Sequence, residues 1–253
     1  MKKHYMLFTL LFTLLPFLNS YAEENKAITI PQLSFSSPTS GYRLEIPETI
    51  LGDRNGGETD RSGKSFTISA WINMDQYTNN SGSKGNVIMG HGPRVHMNYN
   101  GSLVLATTET GVLKIISGAS NKVTSVLETS VDLDTWTYLT LVYDNSDFSV
   151  SVYKDGTLVA TKNNTQQLEL FGDDPCIFFV GGAGFSGFCD EFQFFDRALN
   201  SNDVKQAYSN PQNISGLTVW YDFNTIEEGS SFTNKVTESD QVNTKAWLVM
   251  LHR

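Results

Sequence analysis

Short segments in which apolar and polar residues alternate constrain the fold of this chain more than any other feature of its sequence. Between Phe66 and Met74 every second residue is apolar, a period typical of a half-buried antiparallel strand. Asp155-Gly156 separates two further segments, at 148–154 and 157–161, and is the strongest short hairpin signal in the chain. Such segments recur with regular turn residues and without long helical periods. They predict an all-β fold, a two-sheet antiparallel jelly-roll sandwich with one short helix near its C-terminal end.

The first 22 residues have the organisation of a secretory signal peptide. Two lysines precede an apolar run at 6–18, and Ser-Tyr-Ala at 20–22 forms a small-x-small cleavage pattern. Because the run is shorter than about 18 residues and contains Pro16, it does not suit a membrane anchor. We therefore expect an exported protein that is secreted, periplasmic or held at the cell surface.

Removal of this peptide sets the expected domain organisation and charge. The full chain carries 18 basic and 27 acidic residues, a net charge of −9, and loss of two lysines leaves about −11. This balance argues against nucleic acid and anionic membranes as partners, since both attract basic surfaces. Glycans, extracellular proteins and calcium are compatible with it, and no membrane insertion is expected after cleavage. The predicted parts are a signal peptide at 1–22, a jelly roll at 23–223 and a C-terminal tail at 224–253 whose structure the pattern leaves open.

A segment from Cys176 to Tyr208 is predicted to form a strand, a Gly-rich turn, a second strand and a short helix. In the second strand Asp190 has the same parity as Phe192 and Phe194, which places a carboxylate in line with core aromatics. An isolated buried carboxylate is costly, so it needs several hydrogen bonds or a cation. We interpret Asp190 as a structural clamp on nearby backbone amides, with a metal or catalytic role as the alternative.

Cys176 and Cys189 are the two cysteines of the chain, and they flank the Gly-rich turn. In an exported protein they are expected to form a disulfide across the predicted hairpin, with a pair of buried thiols as the alternative. Beyond them, Arg197 is predicted to pair with a nearby acid. Ser201 is the expected cap of the short helix.

Three further groups of residues are candidates for binding. Trp71 lies on the strand face opposite to the apolar residues, where it either stacks on a sugar or is covered by a second layer or loop. Asp144, Asn145 and Asp147 make an oxygen-rich loop that suits calcium, although the same residue types are the usual residues of turns. His91 does not match a metal-ligand spacing, so a packing or solvated role is expected.

Four pieces of the sequence, in order, resemble the laminin-G-like jelly rolls of the concanavalin A-like lectin/glucanase superfamily. They are SFTISAWINM at 65–74, TWTYLTLVYD at 135–144, VSVYKDGTLVAT at 150–161 and GFSGFCDEFQFFDRALNSNDV at 184–204. The resemblance implies two antiparallel sheets, one of them concave, and binding of carbohydrate or protein outside the cell. Calcium is common in the family, but no motif places its ligands here.

Two departures from the family pattern lead to expectations of their own. Cys189 stands where an aliphatic residue is typical, which a disulfide to Cys176 would explain. The segment 216–230 resembles an opening strand but occurs near the C-terminus. We expect residues 219–223 to add to the sheet beside the N-terminal strand, the alternative being that the chain is a fragment of a longer repeat protein.

The superfamily also contains laminarinase-type hydrolases, whose two catalytic acids lie on one strand as Glu-x-Asp-x-Glu. Here Phe188 stands two residues before Asp190, and aromatic residues and a glutamine follow Glu191. No catalytic residue is therefore predicted. The expected function is an exported, non-catalytic binding domain for carbohydrate or for a cell-surface or matrix protein, with ligand residues and cofactor unassigned. The alternatives are a structural or adhesin segment of a larger surface protein, or a glycoside hydrolase.

Overall fold

A computed structural model describes thirteen stretches of the chain, and the account below is confined to them. They are residues 28–30, 42–47, 63–78, 85–93, 102–118, 123–163, 167–168, 176–182, 184–223, 226–227, 231–232, 234–236 and 246–250. The predicted signal peptide lies outside them. Within them the chain forms two antiparallel sheets and one α-helix, which confirms the predicted sandwich.

Sheet 1 has the strand order β1-β12-β3-β8-β9-β10, and β13 pairs with β12. Strands are numbered along the chain, and those of sheet 1 are β1 (Ile28–Ile30), β3 (Phe66–Met74), β8 (Thr137–Asp144), β9 (Ser149–Lys154), β10 (Thr157–Asn163), β12 (Gly187–Phe195) and β13 (Leu217–Tyr221). The predicted hairpin joins β9 to β10. Asp155 and Gly156 both have positive φ, 50° and 74°, as a two-residue type I′ turn requires.

Sheet 2 has the strand order β14-β15-β16-β2-β11-β4-β5-β6-β7. Its strands are β2 (Tyr42–Pro47), β4 (Asn86–Pro93), β5 (Ser102–Thr107), β6 (Val112–Gly118), β7 (Val123–Ser130), β11 (Cys176–Gly181), β14 (Ile226–Glu227), β15 (Ser231–Phe232) and β16 (Ala246–Met250). The last three come from the C-terminal tail, and β16 pairs with β2. The tail thus extends this sheet.

The core lies between the two sheets and is built from the alternating residues of β3. Phe66, its first residue, is fully buried with a ring centroid 4.9 Å from that of Phe178 in β11. Phe178 in turn packs on Phe194 of β12, at 4.6 Å. Every inward-facing residue of β3 is fully buried, as predicted, namely Phe66, Ile68, Ala70, Ile72 and Met74. Burial of this one face explains why alternation predicted the strand correctly.

A β-bulge in β12 changes which residues of that strand face the core. Asp190 pairs with Trp71 and Gln193 with Ser69, so two residues of β12 oppose one of β3, and Glu191 has a φ of 50°. The extra residue reverses the parity of the strand. Cys189 and Phe192 therefore both join the core, while Asp190 lies on the outer face. The prediction that Asp190 is in line with the core aromatics is wrong for this reason.

The predicted hairpin of 176–195 is also wrong, because its two strands lie in different sheets. β11 pairs with β2 and β4, whereas β12 pairs with β1, β3 and β13. Phe178, two residues after Cys176 in β11, contacts Phe194 of β12. Cys189 lies five residues before Phe194, about 16 Å away along β12. A disulfide needs Cα atoms within about 7 Å. Cys189 is accordingly a free, buried thiol, and the expected disulfide to Cys176 is not formed.

The helix α1 (Ser201–Ser209) packs on the outer face of sheet 1. Its cap is Asn200, whose side-chain oxygen accepts the backbone N–H groups of Asn202 and Asp203 at 2.9 and 3.0 Å, so the expectation of Ser201 is off by one residue. Arg197 forms the predicted ion pair, with Asp203 at 2.8 Å. The helix shares a small apolar cluster with the sheet, formed by Val142, Tyr153, Phe195, Leu199, Val204, Ala207 and Ile214.

The strand β13 runs along the same edge of β12 as β1 does. β1 pairs with Gly187–Cys189 and β13 with Phe192–Phe195, so the segment does add to a sheet as expected, with β12 as its partner. The bulge lies in the gap between them. Among the described residues, none of the helical segments has the length and apolar character needed to cross a bilayer.

Candidate functional site

The outer face of sheet 1 carries aligned side chains in rows across three strands. Phe188 of β12 lies opposite Asn73 of β3. In the next row, Asp190 lies opposite Trp71, and Trp71 opposite Tyr138 of β8. Directly paired residues on one face have Cβ atoms about 5 Å apart. The register therefore brings residues that are distant in sequence into lateral contact.

Three aromatic residues on this face are exposed. Trp136, just before β8, is 41% exposed and Phe188 is 37% exposed. Their ring centroids are 6.4 Å apart, so the two rings form a pair. Tyr208, near the end of α1, is also exposed. We call these three residues together with the half-buried Trp71 the aromatic surface.

Trp71 joins the sheet to the helix within this surface. Its ring centroid is 5.5 Å from that of Tyr138 and 5.4 Å from that of Tyr208. The helix thus covers part of the indole, and the rest stays accessible. The interpretation of Trp71 as a covered residue therefore holds in part, and its role in sugar stacking stays a prediction.

Buried polar side chains on the outer face of sheet 1 hold Tyr138, the residue that contacts Trp71, in place. The Tyr138 hydroxyl donates to Gln193 Oε1 at 2.9 Å, and the Ser69 hydroxyl donates to Thr140 at 3.0 Å. Burial raises the pKa of Tyr138 well above its usual range, so the phenol is neutral. Each hydroxyl has a partner, which holds the Tyr138 ring under Trp71 in one orientation.

Asp190 and Glu191 lie at the bulge, next to Trp71. The Glu191 N–H donates to Asp190 Oδ1 at 2.8 Å, so Asp190 holds one backbone amide in the predicted manner. Asp190 is 5% exposed, and this burial, aided by the charges of Glu191 and Asp222, raises its pKa to about 7. Burial also raises the pKa of Glu191, although a hydrogen bond donated by Trp220 Nε1 opposes the change.

Residues that follow β12 by about 25 to 40 positions complete the acidic cluster of Asp190 and Glu191. Asp222 forms an ion pair with Lys235, whose Nζ lies 5.4 Å from the ring centroid of Trp220. The side-chain oxygen of Asn234 accepts the backbone N–H of Trp220 at 2.9 Å, which fixes the segment that carries Lys235 to β13. Sequence reasoning missed these residues because it considered acids on one strand only. The signal for Asp222 was its place inside the strand predicted at 219–223.

Two exposed carboxylates lie at the other end of the aromatic surface. Asp75 follows β3, and its N–H donates to the Ser186 carbonyl at 3.2 Å. Asp134 stands two residues before Trp136, and its N–H donates to the Met74 carbonyl at 2.8 Å. Both side chains are exposed. The exposed ring pair is therefore flanked by acids.

The candidate calcium loop lies at the opposite end of β8. Asp144 accepts the Ser146 N–H at 2.9 Å, and Asp147 accepts the Ser149 N–H at 2.9 Å. Asn145 accepts the Tyr143 hydroxyl at 3.0 Å. These contacts fit the turn interpretation. Across the described stretches, no group of three or more His, Cys, Asp or Glu side chains is placed to hold a metal ion.

His91 belongs to the core and not to the outer face. It is fully buried, with its ring centroid 4.7 Å from that of Phe178 and 6.1 Å from that of Phe66. This is the packing role that its sequence context predicts.

Comparison with solved structures finds similarity to several proteins. A candidate carbohydrate-binding protein from Bacteroides ovatus has a TM-score of 0.56 and 16% identity over 87% of this chain, which spans 58% of that protein's length. A heptameric SAP-like pentraxin from Limulus polyphemus has a TM-score of 0.49 and 15% identity, covering 74% of this chain and 82% of that one. The CBM40 module of a Ruminococcus gnavus sialidase, bound to sialyllactose, has a TM-score of 0.49 and 13% identity, covering 72% and 96%.

Comparison with proteins of curated function finds no match. One family model matches residues 54–205, the stretch that contains most of sheet 1 and α1. This is more than half of the 253 residues, and all four motifs quoted above lie within it. On this match the chain belongs to a laminin-G-like family of the concanavalin A-like lectin/glucanases superfamily.

Proposed function

We propose that the chain is an exported, non-catalytic module that binds carbohydrate on the aromatic surface of sheet 1. The observation that carries the proposal is the exposed pair Trp136 and Phe188, with ring centroids 6.4 Å apart. Contiguous apolar groups of this kind are unusual on a soluble protein unless they bind something. Trp71 and Tyr208 extend the pair toward the helix.

The rings of this surface suit the apolar faces of sugar rings. An aromatic side chain offers a large, flat contact area and loses few degrees of freedom on binding. Here Tyr138 supports Trp71 from below and is itself fixed by Gln193. A surface ordered in advance binds with a smaller entropic cost.

The family and the Bacteroides ovatus relative support a glycan over other ligands. That relative is described as a candidate carbohydrate-binding protein and shares the fold at a TM-score of 0.56. Export rests on the signal peptide predicted at 1–22. A surface or matrix protein as ligand is the other class that the same rings could serve, and it forms one outcome of the test below.

Glycoside hydrolysis is less well supported, although three acids meet at the bulge. Retaining hydrolysis needs two carboxyl groups about 5 Å apart that reach the substrate. Asp190 is 5% exposed, Trp220 holds Glu191, and Lys235 holds Asp222. Each acid is thus engaged with the protein, so binding without turnover is the better proposal.

The test measures binding of the mature chain to a panel of polysaccharides and host matrix proteins, by affinity electrophoresis and by array. Trp136→Ala and Phe188→Ala should each weaken glycan binding by a factor of about five to 150, if loss of a stacked ring costs about 1–3 kcal/mol as it does for a base stacked on an aromatic side chain. Leu158→Ala and Val126→Ala are matched controls, because these apolar residues are 47% and 58% exposed elsewhere.

Several outcomes would contradict the proposal. Retention on matrix proteins alone would assign the surface to protein binding. Unchanged glycan binding in Trp136→Ala and Phe188→Ala would move the site elsewhere on the molecule. Hydrolysis of a bound polysaccharide would make the chain an enzyme. Parallel runs with calcium and with EGTA test whether Asp144, Asn145 and Asp147 hold a cation that binding requires.

A further inference from the structure

The charges around the aromatic surface are unevenly placed. Asp75 lies two residues from Asn73 on the outer side of β3, about 7 Å along the strand, and Asn73 is opposite Phe188. Asp134 is held beside it through Met74 and stands two residues from Trp136. The exposed rings therefore have two exposed carboxylates at one end.

The described lysines nearest to this face do not neutralise that end. Lys154 Nζ donates to the Ser130 carbonyl at 2.9 Å, and Lys235 is paired with Asp222. Lys205 lies beside Gly156 at the β9–β10 turn, in the helix and not at the end where Asp75 and Asp134 lie.

We propose that this surface selects glycans that lack acidic groups, and that Asp75 and Asp134 determine the selection by repelling carboxylate- or sulfate-bearing sugars. The inference rests on the proposed function, since it concerns the ligand of the same surface. A sugar stacked on Trp136 and Phe188 brings its substituents within about 7 Å of these acids. Sugars with a protonated amine are attracted by the same charges.

The expected size of the effect follows from Coulomb's law. Two like charges about 7 Å apart in water reduce binding about two- to threefold, so two carboxylates together give about sevenfold. Salt at about 0.5 M should remove most of this difference, because the screening length falls below the separation. Stacking on neutral sugars should be insensitive to the same change in salt.

The experiment uses the mature chain and an array in which each glycan backbone is present in neutral, amine-bearing and acidic forms. At about 20 mM salt the acidic forms should bind about sevenfold more weakly than the neutral forms. The double variant Asp75→Asn/Asp134→Asn should raise binding of the acidic forms to the neutral level and leave neutral forms unchanged. Glu128→Gln, at an exposed acid in β7 of sheet 2, is the matched control and should change neither.

The results separate failure of this inference from failure of the proposed function. Acidic forms that bind wild type as tightly as neutral forms would overturn the charge selection and leave glycan binding intact. If the ratio of binding of the acidic forms to binding of the neutral forms is the same in the double variant as in wild type, the charge selection is also overturned. Absence of binding to every form would overturn the proposed function and this inference with it. Trp136→Ala should lose binding to all forms equally.

Discussion

Replacing Asp190 with asparagine should stabilise the fold above neutral pH and have little effect below about pH 3.5, where the carboxyl group is protonated in both the folded and the unfolded chain. Asn keeps an oxygen that can accept the Glu191 N–H, now 2.8 Å from Asp190 Oδ1, but carries no charge. Asp190 is buried, and its pKa in the folded protein is about 7 against an ordinary value of 3.8. The folded state therefore binds this proton more tightly than the unfolded state does.

The sign of the pH dependence follows from that difference. Between about pH 4 and 7 the native protein keeps a proton that the unfolded chain has lost, so wild-type stability falls as pH rises through this range. One pKa unit is worth about 1.4 kcal/mol, which puts an upper limit of about 4 kcal/mol on the loss. Solvent near the half-buried Glu191 screens the charge, and we expect about 2 kcal/mol.

The assay is thermal unfolding of wild type and Asp190→Asn from about pH 3, where both the folded and the unfolded chain keep the Asp190 proton, to about pH 8.5. The melting temperatures should coincide at the acid end of this range, and the variant should exceed wild type by about 4–8 °C at the alkaline end, since 1 kcal/mol shifts a chain of this size by about 2–4 °C. Asp190→Ala removes the acceptor and should lower stability by about 1–3 kcal/mol at the acid end.

Asp147→Asn is the matched control, because the same chemical change is made at a fully exposed acid. Hydrogen bonds from Ser149 lower the pKa of Asp147, so ionisation favours the fold there and Asn should not stabilise it at any pH. A melting temperature of Asp190→Asn that equals or falls below that of wild type at pH 8.5 would refute the argument from burial.

Three further predictions concern the architecture. Asn200→Ala should destabilise the protein by about 1 kcal/mol through loss of the helix cap, whereas Asn202→Ala should be neutral in the same denaturation series; equal effects would contradict the cap. Tyr138→Phe should cost about 1–2 kcal/mol in urea unfolding, because Gln193 loses its buried partner; no loss would contradict a stabilising bond. Reductant should leave the melting temperature unchanged, since Cys189 is a free thiol, and a drop of several degrees would indicate a disulfide.

The parts of the fold that could be predicted are those with local causes. The alternation at Phe66–Met74 reflects burial of one strand face, and the turn at Asp155-Gly156 needs two residues that tolerate positive φ. Both causes operate within about ten residues. The ion pair of Arg197 with Asp203 is local for the same reason, since the two are six residues apart.

The candidate site was harder to predict because strand pairing assembles it. Asp190 was assigned to the wrong face, since one extra residue at the bulge reverses the parity that a regular strand would have. Tyr208 joins the aromatic surface only because α1 docks on the sheet, and Asp222 joins the acidic cluster only because β13 pairs with β12. No periodicity along β12 contains this information.

The amino-acid sequence by itself determined the class of fold, the strands of the core and the family motifs, because period-2 alternation and turn chemistry are written in consecutive residues. The tertiary structure decided which strands are neighbours, that Cys189 stays a thiol, and that Trp136 and Phe188 meet as an exposed pair with Asp75 beside them. The physical reason is that side chains share a face only after register across strands far apart in sequence is set, and that register depends on the whole core.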